Sequence, residues 1–146
     1  MRVYATSAQL AEWTGTASPG NAAQLLRSAS LLVDRELLTA VYPTLDDGSP
    51  RDEGTAQVLA DAVCAQAATW AALGIDPIKG AADEPQTNKV VRKTLATATI
   101  EYDRGSSQDR ATYAAARQQA AVELAPDAQQ ILAAAGLLTG QVWLRG

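Results

Sequence analysis

The side chains best suited to chemistry in this chain are four carboxylates close together in the sequence, at Asp46, Asp47, Asp52 and Glu53. Carboxylate oxygens are ligands that Ca²⁺ prefers, so the cluster raises the question of a calcium loop. Its spacing lacks the alternating acidic positions and the distal glutamate of an EF-hand loop. The segment is also rich in Pro, Gly and Asp, which favours turn-forming and helix-capping acids, and we expect no metal here.

Nucleophiles are few, and none has a base beside it in the sequence. The chain contains one cysteine, Cys64, a short loop with Ser106 and Ser107, and no histidine. Without imidazole there is no Ser-His or Cys-His pair and no histidine ligand for a metal. A hydrolase using Ser106 or Ser107 would need a base that the sequence does not offer. We therefore expect no enzyme, no catalytic residue and no cofactor.

Charge and cysteine content further restrict which classes of protein fit this sequence. The formal net charge is -4, which disfavours a protein that grips nucleic acid, because phosphate binding needs clustered Lys and Arg. A single cysteine permits no internal disulfide, and we expect Cys64 to be a buried, inert thiol. The residues before Thr6 are too few and too polar for a signal peptide, so we expect synthesis in a reducing cytoplasm.

The element that must organise the chain is the alanine-rich stretch from Ala56 to Leu73. Its larger side chains, including Trp70, recur at spacings of three and four, which predicts a long central helix. Asp52 is placed to cap its start and Gly74 to end it. Polar residues interrupt the stretch, so we expect a buried helix and no membrane span.

Four further segments have the signals of helices. One begins at the Thr6 capping box and ends at Gly15, and the second runs from Ser18-Pro19 to about Ala40. The third is capped by Asp109 and runs to about Leu124, and the fourth begins at Pro126 and stops at Gly136. In the third we expect Tyr113, Ala116, Ala120 and Leu124 to face the core, and Arg110, Arg117, Gln118 and Glu123 to face water.

The remaining segments complete the predicted architecture. Polar and apolar residues alternate towards the end of Lys89 to Asp103, which predicts a single β-hairpin between mobile loops. The C-terminal residues 136–146 form an apolar tail with Trp143 and Arg145, a pair of residue types enriched at interfaces. The predicted fold is mainly α, a small helical bundle around one long central helix, with one hairpin and an extended tail. We expect residues 1–146 to form a single domain.

Two leucines do not belong to the apolar face of the second helix. Leu31 and Leu38 lie seven residues apart and off the stripe that faces the central helix. Single exposed leucines are common, but two aligned on one helix predict a neighbouring molecule.

The order of these elements resembles the head-to-tail connector, or adaptor, proteins of long-tailed bacteriophages, particularly those of actinobacterial phages. The likeness covers nearly the whole chain and depends on order and spacing more than on any single motif. The stretches that carry it are YATSAQLAEWTG, SASLLVDREL, VLADAVCAQAATWAALGIDP, VVRKTLATATIEYD and ILAAAGLLTGQVWLRG.

The resemblance implies a structural virion protein that forms a homo-oligomeric ring, a dodecamer in the virion, below the portal. Such a ring extends the DNA channel, lets DNA pass without sequence-specific binding, and receives a stopper or tail-completion protein. It would be made in the host cytoplasm and act in the neck of the virion. On this hypothesis Leu31 and Leu38 form subunit contacts. Portal docking would use Val142, Trp143, Leu144 and Arg145.

A different class of protein fits the same composition. A monomeric or dimeric helical regulator, of the antitoxin or anti-repressor kind, would also be a small acidic helical chain with an apolar tail. It predicts a fixed small oligomer and one tight partner, whereas the adaptor hypothesis predicts a ring.

Overall fold

The computed structural model describes residues 2–79, 112 and 114–138. Four helices are defined: α1 (Ser7–Thr14), α2 (Ala22–Glu36), α3 (Glu53–Leu73) and α4 (Pro126–Ala134). Residues 114–122 are also helical. One antiparallel bridge joins Thr44 and Pro50. The mainly helical prediction is confirmed, and the predicted hairpin at Lys89 to Asp103 lies outside the described residues.

Local capping chemistry sets the ends of α1 and α3, as the sequence predicts. Thr6 and Gln9 form the reciprocal capping box that begins α1, and Gly15 ends it with φ 68°. The Asp52 side chain accepts a hydrogen bond from the Thr55 backbone N–H at 2.8 Å, and α3 begins at Glu53, directly after the predicted cap. Gly74, with φ 63°, ends α3 in the left-handed conformation that glycine adopts without a Cβ clash.

Both predicted ends of α2 are wrong by about one turn. The Ala22 backbone N–H donates to the Pro19 carbonyl at 2.9 Å, so residues 19–22 form a turn and the helix begins at Ala22. At the other end the helix stops at Glu36, and the Ala40 N–H closes a turn on the Leu37 carbonyl at 2.9 Å. Turns at helix ends continue the apolar spacing of the helix, so periodicity alone does not separate the two.

Helix α3 is 21 residues long and packs against α1, α2 and α4. At this length it spans about 30 Å. The core that surrounds it contains small alanines, which permit close approach of the helices, and a set of larger side chains. The largest fully buried apolar side chains are Leu10, Leu25, Leu26, Val33, Leu59, Val63, Trp70 and Leu132.

The residues before α1 are attached to α2. The Tyr4 backbone N–H donates to Ser30 Oγ at 3.2 Å, and the Tyr4 hydroxyl donates to Asp34 Oδ1. Burial, followed by this hydrogen bond to the Asp34 carboxylate, raises the pKa of Tyr4 above its ordinary value. These contacts hold the beginning of the chain on the same helix that carries Leu31.

Among the helices that the structure describes, none combines the length and the apolar composition needed to cross a bilayer.

Candidate functional site

The first candidate surface is the outer side of α2. Leu31 is 52% exposed, and Leu38, which follows the end of the helix, is 81% exposed. Between them, Arg35 Nη2 donates a hydrogen bond to the Val122 carbonyl at 2.7 Å, and Val122 is itself exposed. We call Leu31, Arg35, Leu38 and Val122 the α2 strip.

The α2 strip is suited to contact with another macromolecule. Its three apolar side chains are exposed, although the opposite face of α2 supplies a large share of the core. Arg35 also forms an exposed ion pair with Glu36 at 3.0 Å. An arginine among exposed aliphatic side chains is a composition found at protein interfaces, and no group in the strip is a nucleophile.

The second predicted surface is the C-terminal tail, of which the structure describes only the beginning. Leu137 is buried, and its backbone N–H donates to the Leu132 carbonyl at 3.0 Å. Leu138 is partly buried against the core. These two residues therefore pack on their own domain. The predicted portal-docking residues Val142, Trp143, Leu144 and Arg145 lie outside the described residues.

The acidic cluster is built from turn-forming and helix-capping side chains, as the sequence indicates. Asp47 accepts hydrogen bonds from the Ser49 backbone N–H, at 2.9 Å, and from its hydroxyl, and these bonds lower the pKa of Asp47. Asp52 accepts from the Thr55 backbone N–H and hydroxyl. Over residues 2–79, 112 and 114–138 no group of three or more candidate ligands is close enough together to hold a metal ion.

Cys64 is a buried thiol, as predicted. It is 2% exposed, and burial, with a smaller contribution from the Asp61 carboxylate, raises the pKa of Cys64 to about 11. The thiol is therefore protonated at neutral pH and is a poor nucleophile. Ser106 and Ser107 lie outside the described residues.

Two polar side chains of α3 anchor the chain that follows residue 114. Trp70 Nε1 donates to the Ala120 carbonyl at 2.7 Å. Gln66 Oε1 accepts from the Ala125 N–H at 2.6 Å, directly before α4. Because both side chains are buried, these bonds fix where the second half of the protein lies on α3.

The sequence prediction that Arg117 faces water is wrong. It is only 4% exposed, and its guanidinium donates to the Leu73 and Gly74 carbonyls at the end of α3. These carbonyls belong to the last turn of α3, where the helix dipole favours a cation. Ala116, predicted to face the core, is exposed, whereas Ala120 is partly buried against the core and Leu124 is buried, as predicted. Gln118 and Glu123 are exposed, as predicted, and Arg110 and Tyr113 lie outside the described residues.

The described residues also contain a cleft that sequence reasoning missed. It lies between α1 and α3 and has a volume of about 500 Å³. We call it the α1–α3 cleft. Its lining residues are Gln9, Glu12 and Trp13 from α1 and Gln57, Ala60, Asp61 and Cys64 from α3. The spacing of three and four along each helix was a signal that these residues share a face, but nothing in the sequence pairs the two faces.

The chain matches no protein-family model, no curated protein and no solved structure.

Proposed function

We propose that this chain is the protomer of a head-to-tail adaptor ring that binds below a bacteriophage portal and extends the DNA channel towards the tail. The observation that carries the proposal is the exposed pair Leu31, on the outer side of α2, and Leu38, in the turn that follows it. Burying an exposed leucine against a neighbouring subunit is favourable because its apolar surface is removed from water. In a ring, the same surface is buried in every subunit.

On this proposal, two segments outside the described residues also have roles. Lys89 to Asp103 forms the hairpin beside a bundle centred on α3, and Val142 to Arg145 dock into the portal. The ring is a dodecamer matched to the portal and meets a stopper or tail-completion protein on its other side. Assembly takes place in the host cytoplasm, and the finished ring lies in the neck of the virion.

An acidic protomer is compatible with a DNA channel. The net charge of -4 disfavours tight phosphate contacts, so DNA would pass through the lumen without sequence-specific binding. Tight binding of duplex DNA at physiological salt would contradict this part of the proposal.

The lateral contact is tested by the double substitution Leu31→Glu and Leu38→Glu. Sedimentation velocity would be recorded for the protein alone and with the portal protein encoded in the same genome. The wild type should form a ring on the portal, and the double variant should remain unassembled because it places carboxylates in the contact. Leu45→Glu with Ile78→Glu is the matched control, since both residues are exposed apolar side chains outside the α2 strip.

The result separates the adaptor from the helical regulator. An unchanged oligomer distribution in the double variant would refute the lateral contact. A wild-type chain that forms no ring even beside portal protein would favour the regulator, with its fixed small oligomer.

Portal docking is tested by deleting Gln141 to Gly146. The deletion should leave the far-ultraviolet circular dichroism spectrum unchanged and abolish co-purification with portal rings. Retained co-purification would remove the tail from the docking surface and leave the lateral contact untouched.

A further inference from the structure

The α1–α3 cleft combines an aromatic wall with carboxylates. Trp13 is 45% exposed, whereas Ala60 and Cys64 in the same lining are buried. An exposed tryptophan beside an open cleft is a residue type and a position typical of binding hot spots.

The charged residues that line the cleft are all acidic. Glu12 and Asp61 line it, and none of its lining residues is a cation. Asp61 Oδ1 accepts a hydrogen bond from Gln57 Nε2 at 2.8 Å, which restricts the position of that carboxylate. Glu12 is exposed, and within the described ranges its side chain forms no salt bridge or hydrogen bond. An anionic or wholly apolar ligand would bury these carboxylates and amides without giving them a hydrogen-bond donor or an opposite charge.

We propose that the α1–α3 cleft binds an arginine side chain presented by a partner polypeptide. A guanidinium stacks on the face of a tryptophan ring and at the same time donates paired hydrogen bonds to a carboxylate. The cleft offers both kinds of group, Trp13 on α1 and Asp61 on α3. An ammonium group would be attracted by the same charge, but it lacks the planar fork and the stacking surface, so arginine is preferred to lysine.

This site is independent of the proposed ring. It uses α1 and one face of α3, whereas the ring contact uses the α2 strip. A chain that forms no ring would bind arginine in the same way, so the two proposals fail separately.

The test is an NMR titration of the full chain labelled with ¹⁵N. The probe is the peptide acetyl-Gly-Arg-Gly-amide, and the reporter is the Trp13 indole N–H resonance, assigned by its loss in Trp13→Phe. We expect a saturable shift with a millimolar dissociation constant that weakens as salt is added, because exposed cation–π contacts and ion pairs are individually weak. The matched peptide with citrulline in place of arginine has the same shape without the charge and should cause no saturable shift. A lysine peptide should bind more weakly than the arginine peptide.

A pair of double variants locates the site. Glu12→Gln with Asp61→Asn should weaken arginine binding about fivefold to tenfold. Asp46→Asn with Glu123→Gln makes the same change in net charge at exposed positions outside the cleft and should leave the affinity near that of the wild type. Equal binding of the citrulline peptide, absence of any saturable Trp13 shift, or equal weakening by both double variants would overturn the proposal.

Discussion

The two edges of α3 use polar side chains in opposite ways. On the edge that meets residues 114–138, Gln66 and Trp70 are buried, and each is hydrogen-bonded to a backbone group of the facing chain. On the edge that meets α1, Gln57 and Asp61 remain at the surface and bond to each other across one helical turn, at 2.8 Å. One helix therefore carries a polar edge that fixes the fold and a polar edge that is open to a ligand.

Desolvation explains why this difference matters. A polar group that loses its partner costs about 1–3 kcal/mol when it is buried, but it costs little where water replaces the partner. Changes on the buried edge should therefore lower the free energy of unfolding, and matched changes on the α1 edge should not.

The largest expected effect is at Trp70, which is 1% exposed. Trp70→Ala should lower the free energy of unfolding by about 3–5 kcal/mol, because it leaves a large cavity and removes the Nε1 hydrogen bond. Trp70→Phe keeps most of the volume and should cost considerably less. Urea unfolding followed by circular dichroism measures both, and equal losses would show that the hydrogen bond to Ala120, and not packing, dominates.

A smaller effect is expected at Arg117, on the same buried edge. Arg117→Met removes the donors to the Leu73 and Gly74 carbonyls and should lower the free energy of unfolding by about 2 kcal/mol. The control is Arg51→Met at an exposed position, where we expect less than about 0.5 kcal/mol. Similar values for the two variants would mean that Arg117 does not hold the end of α3.

Cys64 lies under the α1 edge and makes that side sensitive to alkaline pH. Its folded pKa of about 11 lies above the ordinary value of 9.0, so between these values the unfolded chain loses a proton that the folded chain keeps. Stability should therefore fall as pH rises through this window, by about 1.4 kcal/mol per unit at most. Cys64→Ala should show a shallower decline in urea unfolding across the same pH range. Parallel curves for the two proteins would contradict the assignment.

Gln66 tests the buried edge more finely. Gln66→Met leaves the Ala125 N–H without its acceptor, but it also removes Nε2, which has no hydrogen-bond partner among the described residues. The two terms oppose each other, so we expect a net loss of about 1 kcal/mol. Gln57→Met, on the exposed α1 edge, should change the free energy of unfolding by less than about 0.5 kcal/mol. Two equal losses would remove the distinction between the edges.

Features that depend on neighbouring residues could be predicted from the sequence. The capping box at Thr6, the cap at Asp52 and the glycine stop at Gly74 each use atoms within one turn of chain, so residue type and spacing were sufficient. The exposed position of Leu31 followed from the same local periodicity, whereas Leu38, predicted to lie on the same helix, is exposed in the turn after α2.

Features that depend on how helices meet could not be predicted. Arg117 is buried because the end of α3 offers carbonyl groups to it, a partnership across more than forty residues that no local pattern encodes. The α1–α3 cleft likewise exists only when the faces of Trp13 and Asp61 are brought together. Ala60 in the cleft and Ala62 and Ala67 in the core are all buried alanines of α3, so composition did not distinguish them.

The smallest expected effect concerns the two carboxylates of the cleft. Glu12→Gln with Asp61→Asn should change the free energy of unfolding by less than about 0.5 kcal/mol, because neither group neutralises a buried cation among the described residues and water solvates both. Urea unfolding of this double variant and of Gln66→Met compares the two losses in the free energy of unfolding directly. A loss as large as that of Gln66→Met would mean that the carboxylates hold α1 against α3, and the cleft would then be part of the fold instead of a surface free to bind arginine.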